Sequence, residues 1–343
     1  ISNVENIIAG TGDDVVIGSS SANNIEAGDG SDNVVAGAGD DVISGGAGDD
    51  LLSGGSGDDQ IGGGFGDDII AGGAGDDILD GGDGSDTLSF AGEASGVDID
   101  LTDGSAVGES SGTDTISNFE NIEGGAGRDT LKGDAGSNIL SGGAGDDTYI
   151  VTDGHDIIVT GAGADTLEVP AEYTVNQIEL NSENGNLVVS LTKANGTAHS
   201  LTVENHLENP LSALRIYSYG QDDDGNQIEV ANDYGLLVDY DADTNTYTAR
   251  VDGLATRMDG TAEGETLVGM SGDDLIFGNA GKDILDGGDG DDQLFGGLGD
   301  DVYRVASGDD EITVGGGDDQ LILSGQLDGA TVEGANLRFD ANF

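Results

Sequence analysis

Residues 45–80 read GGAGDDLLS, GGSGDDQIG, GGFGDDIIA and GGAGDDILD, four successive blocks of nine. The pattern is Gly-Gly-x-Gly-x-Asp-x-apolar-x. Such a period decides an architecture before any single residue does, because repeat folds are built one unit at a time. Followed outward, nine blocks run without a gap from Ala9 to Ser89, five from Gly124 to Glu168 and seven from Gly260 to Ile322. These 21 blocks cover 189 of the 343 residues. Position six is Asp in 18 of them, and the exceptions, Asn23, Asn138 and Glu265, also carry side-chain oxygen. Position eight is Val, Ile or Leu except at Tyr149 and Tyr303.

The residue types dictate what one block does. Glycine reaches backbone angles with positive φ, so the first six residues are expected to turn tightly. The last three, one apolar side chain between two outward ones, make a short strand. Two blocks then form one coil of a flattened right-handed parallel β-roll, an all-β solenoid with coils stacked at about 4.8 Å. Position-eight side chains fill a thin core, and position-six carboxylates line up in columns along both edges. Columns of like charge repel unless a cation sits between them. Ca²⁺, a hard ion that takes 6–8 oxygens, suits carboxylates and turn carbonyls. The candidate ligands are Asp14, Asp32, Asp41, Asp50, Asp59, Asp68, Asp77 and Asp86 in the first run. Asp129, Asp147, Asp156 and Asp165 follow in the second, and Asp274, Asp283, Asp292, Asp301, Asp310 and Asp319 in the third. Fifth-position acids such as Asp40, Asp49, Asp58, Asp67 and Asp76 are expected to face solvent.

Composition agrees with a cation-dependent fold. The chain holds 69 acidic and 9 basic residues, a formal net charge of −60, with 64 Gly, 2 Pro, 35% hydrophobic and 4% aromatic residues. So little apolar surface cannot offset the self-repulsion of a bare chain. A low-complexity disordered tract, however, would not hold positions six and eight so tightly. No Lys or Arg precedes Arg128, while residues 1–127 carry 21 Asp and 6 Glu. Such a surface excludes nucleic acid and direct insertion into an anionic membrane as partners, since both need basic side chains against phosphate. Cysteine is absent, which removes disulfides and thiolate zinc sites.

The nonapeptide resembles the RTX, or haemolysin-type calcium-binding, family of bacterial secreted proteins. The resemblance implies Ca²⁺ between turns one coil apart and export of an unfolded chain by type I secretion. On that pattern Asp41 shares an ion with the turn Gly54–Asp59, and Asp50 with the turn Gly63–Asp68. Carbonyls of Gly37, Gly39, Gly46, Gly48, Gly55, Gly57, Gly64, Gly66, Gly73 and Gly75 would complete the shells. Each run loses about two half-sites at its ends, so about 15 ions are expected.

The expected domains are the first roll at 1–89, a protruding hairpin insert at 90–123, the second roll at 124–168, an antiparallel β insert at 169–259, the third roll at 260–322 and the start of a further β segment at 323–343. In the larger insert Leu187, Val189 and Leu191 alternate, Asn195-Gly196 turns, and Leu201 and Val203 alternate back. It loosely resembles a domain found beside RTX blocks. Further strands are expected at 215–219, 227–230, 236–240 and 247–251. ISNVENI at residue 1 recurs as ISNFENI at residue 116, so the sequence is expected to be an excerpt of a longer tandem protein.

Other chemistry is sparse. Gly108-Glu109-Ser110-Ser111-Gly112 matches G-x-S-x-G without a strand-to-helix context or a nearby His. His155, His199 and His206 are scattered, and no H-E-x-x-H occurs. Asp239, Asp241 and Asp243 open like an EF-hand loop, but Thr244 stands where Gly is needed and Arg250 where the bidentate Glu belongs. Sorting outward positions by face puts Val15, Ile17, Val35, Leu51 and Ile69 on one sheet of the first roll, and Leu275, Phe277 and Phe295 on one sheet of the third. These faces are expected to be covered by the chain's own inserts or by another copy.

The functional expectation is a non-catalytic, Ca²⁺-folded structural segment of a large extracellular or surface protein of a Gram-negative bacterium, of surface-layer, fibre or adhesin type. Its partners would be calcium and, through self-association or other surface proteins, its neighbours. The alternative is the C-terminal module of a secreted protease, lipase or polysaccharide epimerase.

Overall fold

A computed structural model of the chain describes residues 5–181, 186–204, 213–221, 227–233, 238–241, 246–249, 256–323, 331–333 and 337–339. Every regular element among them is a strand. The chain divides into two compact units, Ile1–Leu167 and Glu168–Phe343.

The first unit is a parallel solenoid. Alternate blocks supply alternate sheets. One holds Asn6–Thr11, Asn24–Asp29, Val42–Ala47, Gln60–Phe65 and Ile78–Asp83; the other holds Val15–Ser19, Asn33–Ala38, Leu51–Ser56, Ile69–Ala74 and Thr87–Ser89. Neighbouring strands are parallel and 18 residues apart, so that Val42 faces Gln60 and Gln60 faces Ile78. Two hydrogen bonds from each block help to fix this register. The position-seven N–H donates backward to the position-six carbonyl, as Gln60 does to Asp41 at 2.8 Å. The position-four N–H donates forward to the position-three carbonyl, as Gly57 does to Ala74 at 2.8 Å.

The strands of the first roll are longer than the spacing suggests. Gly46 still faces Gly64 and Ala47 still faces Phe65, so positions one to three pair as well and the turn itself shrinks to positions four to six. In the second run the first three strands, Thr130–Lys132, Ile139–Ser141 and Thr148–Ile150, are the expected three residues, and His155–Val159 and Thr166–Val169 are longer. All position-eight side chains are buried. Tyr149 and Tyr303 are wholly enclosed, which the thin core tolerates because each hydroxyl reaches backbone: Tyr149 accepts the Gly142 N–H at 3.0 Å and donates to the Val159 carbonyl at 3.2 Å.

The insert at 90–123 does not protrude. Its strands Val97–Asp100, Ser105–Gly108 and Gly112–Ser117 lie in the plane of the first sheet, between Ile78–Asp83 and Thr130–Lys132. Gly112–Ser117 runs parallel to Ile78–Asp83, and Val97–Asp100 runs parallel to Thr130–Lys132. Ser105–Gly108 bridges them antiparallel. A projecting hairpin would leave two sheet edges with unpaired backbone groups, and intercalation satisfies both.

In the second unit Tyr173–Asn181, Asn186–Lys193 and Ala198–Glu204 form an antiparallel meander with Leu187, Val189, Leu191, Leu201 and Val203 buried, as the alternation requires. Ala213–Gln221 pairs antiparallel with Gln227–Asp233, and Val238–Asp241 with Thr246–Ala249. The expected positions 236–237 and 250–251 lie outside the described residues. Two strands hand over to the roll: Thr246–Ala249 pairs parallel with Thr266–Val268, and Thr256–Asp259 with Leu275–Phe277. Beyond the last block, Thr331–Glu333 and Leu337–Phe339 continue the parallel pairing.

Among the described residues of the first unit, the apolar face of the first roll is open. Val15 is 76% exposed and Ile17 70%, and Val35, Leu51 and Ile69 are also open; on the opposite sheet so are Val42 and Ile78. In the third roll Phe277 and Phe295 stack at 4.8 Å between ring centroids, with the Arg257 guanidinium 5.2 Å from the Phe277 ring.

Candidate metal centre

The position-six carboxylates behave as one repeated device. From Asp32 to Asp86 each turns inward and Oδ1 accepts the backbone N–H of the position-six residue one coil earlier: Asp59 caps Asp41 at 2.7 Å, Asp68 caps Asp50 at 2.8 Å and Asp77 caps Asp59 at 2.8 Å. That leaves Oδ2. In Asp32, Asp41, Asp50, Asp59, Asp68, Asp77 and Asp86 this second oxygen is buried and has no hydrogen-bond partner, and the same holds for Asp147, Asp274, Asp283, Asp292, Asp301, Asp310 and Asp319. An anionic oxygen out of water without a partner is costly, and rows of them more so. A cation is the group that would satisfy them.

The glycines shape the space around these oxygens. Gly37, Gly39, Gly46, Gly48, Gly55, Gly57, Gly64, Gly66, Gly73 and Gly75 all have φ between +103° and +136°. A Cβ at Gly55 or Gly57 would run into the carbonyl oxygen of Gly37 or Gly39 one coil back, so coils stack this closely only without side chains there. Position one supplies an oxygen the sequence reading did not single out. A Cβ at Gly54 would strike both Asp59 Oδ2 and the Gly72 carbonyl, and at Gly63 both Asp68 Oδ2 and the Gly81 carbonyl. The unpartnered oxygen and a carbonyl from the next coil therefore share one small space. Among the described residues no three acidic or His side chains gather at one point. A bound ion would hence draw much of its shell from backbone carbonyls, which fits the oxygen-only, six- to eight-fold preference of Ca²⁺.

Burial pushes the carboxyls of Asp59 and Asp68 above the ordinary value of 3.8, against the lowering effect of the backbone N–H each accepts. Asp59, Asp68 and Asp147 rise to about 6, Asp283 and Asp292 to about 7, and Asp274 to about 8. Neighbouring Asp residues in the column add to the rise.

Not every candidate carries a free oxygen. Asp129 Oδ2 accepts the Gly125 N–H at 2.8 Å and Oδ1 the Val97 N–H at 2.9 Å. Asp156 Oδ2 accepts the Thr152 hydroxyl at 3.2 Å, and Asp165 takes the Gly161 N–H in addition to that of Asp147. Asp14, half-buried, has its N–H capped by Asp32. The off-pattern residues turn onto their own turns: Asn23 Oδ1 accepts the Ser19 N–H, Asn138 Oδ1 the Asp134 N–H and Glu265 Oε2 the Thr261 N–H.

The fifth-position acids are exposed, as expected, yet they are not idle. Their Oδ1 atoms accept the fifth-position N–H one coil later, Asp40 from Asp58 at 3.1 Å and Asp49 from Asp67 at 2.9 Å. Positions five and six thus clamp each turn from opposite directions. Among the described residues the remaining candidates do not gather at one point. Ser110 donates to Glu93 Oε2 at 2.6 Å, His155 is exposed, and His199 packs edge-on to Tyr173. Asp239 and Asp241 lie on the strand Val238–Asp241; Asp243 and His206 lie outside the described residues.

A family model described as the RTX calcium-binding nonapeptide repeat matches residues 2–34, 26–61, 62–92, 116–149, 150–168, 259–294 and 295–328. No curated protein matches the chain. Among solved structures, the extracellular lipase LipA from Serratia marcescens is 23% identical over 61% of this chain, with a TM-score of 0.28. The match spans 33% of that lipase.

Proposed function

Because this chain belongs to the family of RTX calcium-binding nonapeptide repeats, we propose that it is a non-catalytic segment of a large secreted or cell-surface bacterial protein, folded by calcium after export. The observation that carries the reading is the row of buried, unpartnered Oδ2 atoms from Asp32 to Asp86 and again from Asp274 to Asp319. Without counter-ions these rows oppose folding; with Ca²⁺ they contribute to it. The chain would stay extended and exportable by type I secretion where calcium is scarce, and coil where it is abundant.

The holding groups would be the position-six carboxylates, the carbonyls of Gly37 to Gly75 named above, and the position-one carbonyls of Gly63, Gly72 and Gly81. About 15 ions would bind. The open apolar row Val15, Ile17, Val35, Leu51 and Ile69 supports self-association, or contact with another surface protein, as the structural role. The test compares the full chain in chelator and in millimolar CaCl₂ by far-ultraviolet circular dichroism and hydrodynamic radius. Expansion in chelator and compaction with β signal in calcium supports the reading; a compact β spectrum in chelator contradicts it.

A further inference from the structure

Residues 109–117, ESSGTDTIS, lie in the insert and lack the glycine pair of the repeat. In space they are nonetheless one more block. The Gly75 N–H donates to the Ser111 carbonyl at 3.0 Å, and Thr113 N–H to Asp76 Oδ1 at 2.9 Å. Asp77 N–H donates to Asp114 Oδ1 at 2.9 Å, and Thr115 N–H to the Asp77 carbonyl at 2.8 Å. The same four bonds join the block before it to its neighbour: Gly57 to Ala74, Asp76 to Asp58, Asp59 to Asp77 and Ile78 to Asp59. Thr115, Ile116 and Ser117 pair with Ile78, Leu79 and Asp80, and Ile116 fills the core position. Gly112 takes φ +90°, and a Cβ there would meet the Gly75 carbonyl, as at Gly57 and Gly75. The sequence separation is 37 instead of 18, the extra chain having been used for the in-plane hairpin.

We propose that Asp114 is a calcium ligand, extending the position-six column one coil past the first roll and forming with Asp77 an ion site that fastens the insert to that roll. Asp114 is 2% exposed and Asp77 1%, and the Oδ2 of each is buried without a partner. Ser111, in the same turn, is wholly buried with its Oγ also unpartnered, and lies against Gly108 of the hairpin. The ion is of the class that takes oxygen only: no nitrogen or sulfur ligand accompanies these groups.

The inference rests on the calcium reading above, and the experiment separates their failures. Calcium bound per full chain is counted by equilibrium dialysis with elemental analysis, using CaCl₂, for the unaltered protein, Asp114→Asn and Asp98→Asn. Asp98 is exposed in the same hairpin. Asp114→Asn keeps the acceptor for the Asp77 N–H and is expected to bind one ion fewer, while Asp98→Asn binds as many as the unaltered chain. Equal binding by Asp114→Asn overturns the site. Hydrogen exchange on the unaltered chain decides the matter should the Asp114→Asn variant fail to fold. Amides of 112–117 that gain protection with calcium in step with those of 60–80 support the site, and amides there that ignore calcium overturn it. An unaltered chain that binds no calcium overturns the family-based reading and the site together.

Discussion

Asp77 divides its carboxylate: Oδ1 holds the backbone N–H of Asp59 at 2.8 Å, one coil back, while Oδ2 is buried with nothing to bind. One oxygen sets the coil spacing and the other waits for a cation. Substitutions can separate these tasks.

Asp59→Asn retains an oxygen for the Asp41 N–H but replaces the unpartnered anionic oxygen with an amide. In calcium it should cost about 1–3 kcal/mol, the scale of losing a charged ligand from a buried site. In chelator it should be neutral or favourable, because a buried charge has gone. Asp59→Ala should be worse in calcium, having lost the cap as well. Urea titration of the three proteins in both conditions checks the reversal; the same sign in both would count against it.

Gly57 and Gly62 differ in what they permit. Gly57 holds φ +129° with its Cβ direction blocked by the Gly39 carbonyl, whereas a Cβ at Gly62 meets nothing within 4 Å. Gly57→Ala should destabilise the calcium-bound roll by about 1–3 kcal/mol. Gly62→Ala should leave it unchanged or up to about 1 kcal/mol more stable. Thermal unfolding in calcium measures both.

Acid should partly replace the metal. The folded pKa values of Asp59 and Asp68, about 6, of Asp283, about 7, and of Asp274, about 8, exceed the ordinary 3.8 because of burial. The fold therefore holds more protons than the unfolded chain, and this contribution is complete below about pH 4 and lost as pH rises through those values. In metal-free buffer, β signal should be strongest near pH 4 and disappear between about pH 5 and 8. The calcium concentration needed for half-folding should rise over the same range, as the protonated metal-free fold loses its stability. A metal-free chain more folded at pH 8 than at pH 4 would refute the sign.

Phe277 and Phe295 face each other across adjacent parallel strands and stack at 14° between planes, under Arg257. Replacing both with Ser should cost about 1–2 kcal/mol in the third roll through the lost ring pair and its burial. Calcium-induced β signal should persist, since neither residue is in the core row. Loss of calcium-induced folding would show the stack to be structural in a way the register does not suggest.

Much of this was legible because the repeat ties backbone and chemistry to the same positions. The core row and the acid columns at Asp32–Asp86 follow from period nine alone. What escaped the reading were coils that keep the hydrogen bonds but not the residues. Asp114 sits in position-six geometry without the glycine pair, and Thr256 stands where its N–H is capped by Asp274 without an acid of its own. Tertiary register places these residues, and local composition carries no trace of it. The short supply of free oxygens around Asp129, Asp156 and Asp165 likewise depends on neighbours such as Gly125 and Thr152, which the nonapeptide pattern does not specify.

The most direct measurement is anomalous diffraction from crystals of the full chain grown in calcium chloride. Cation peaks are expected about 2.3–2.6 Å from the Oδ2 atoms of Asp59, Asp68, Asp283 and Asp292, repeating once per coil along each column. Folded crystals in which those oxygens instead carry protons or water, with no cation along either column, would contradict this expectation.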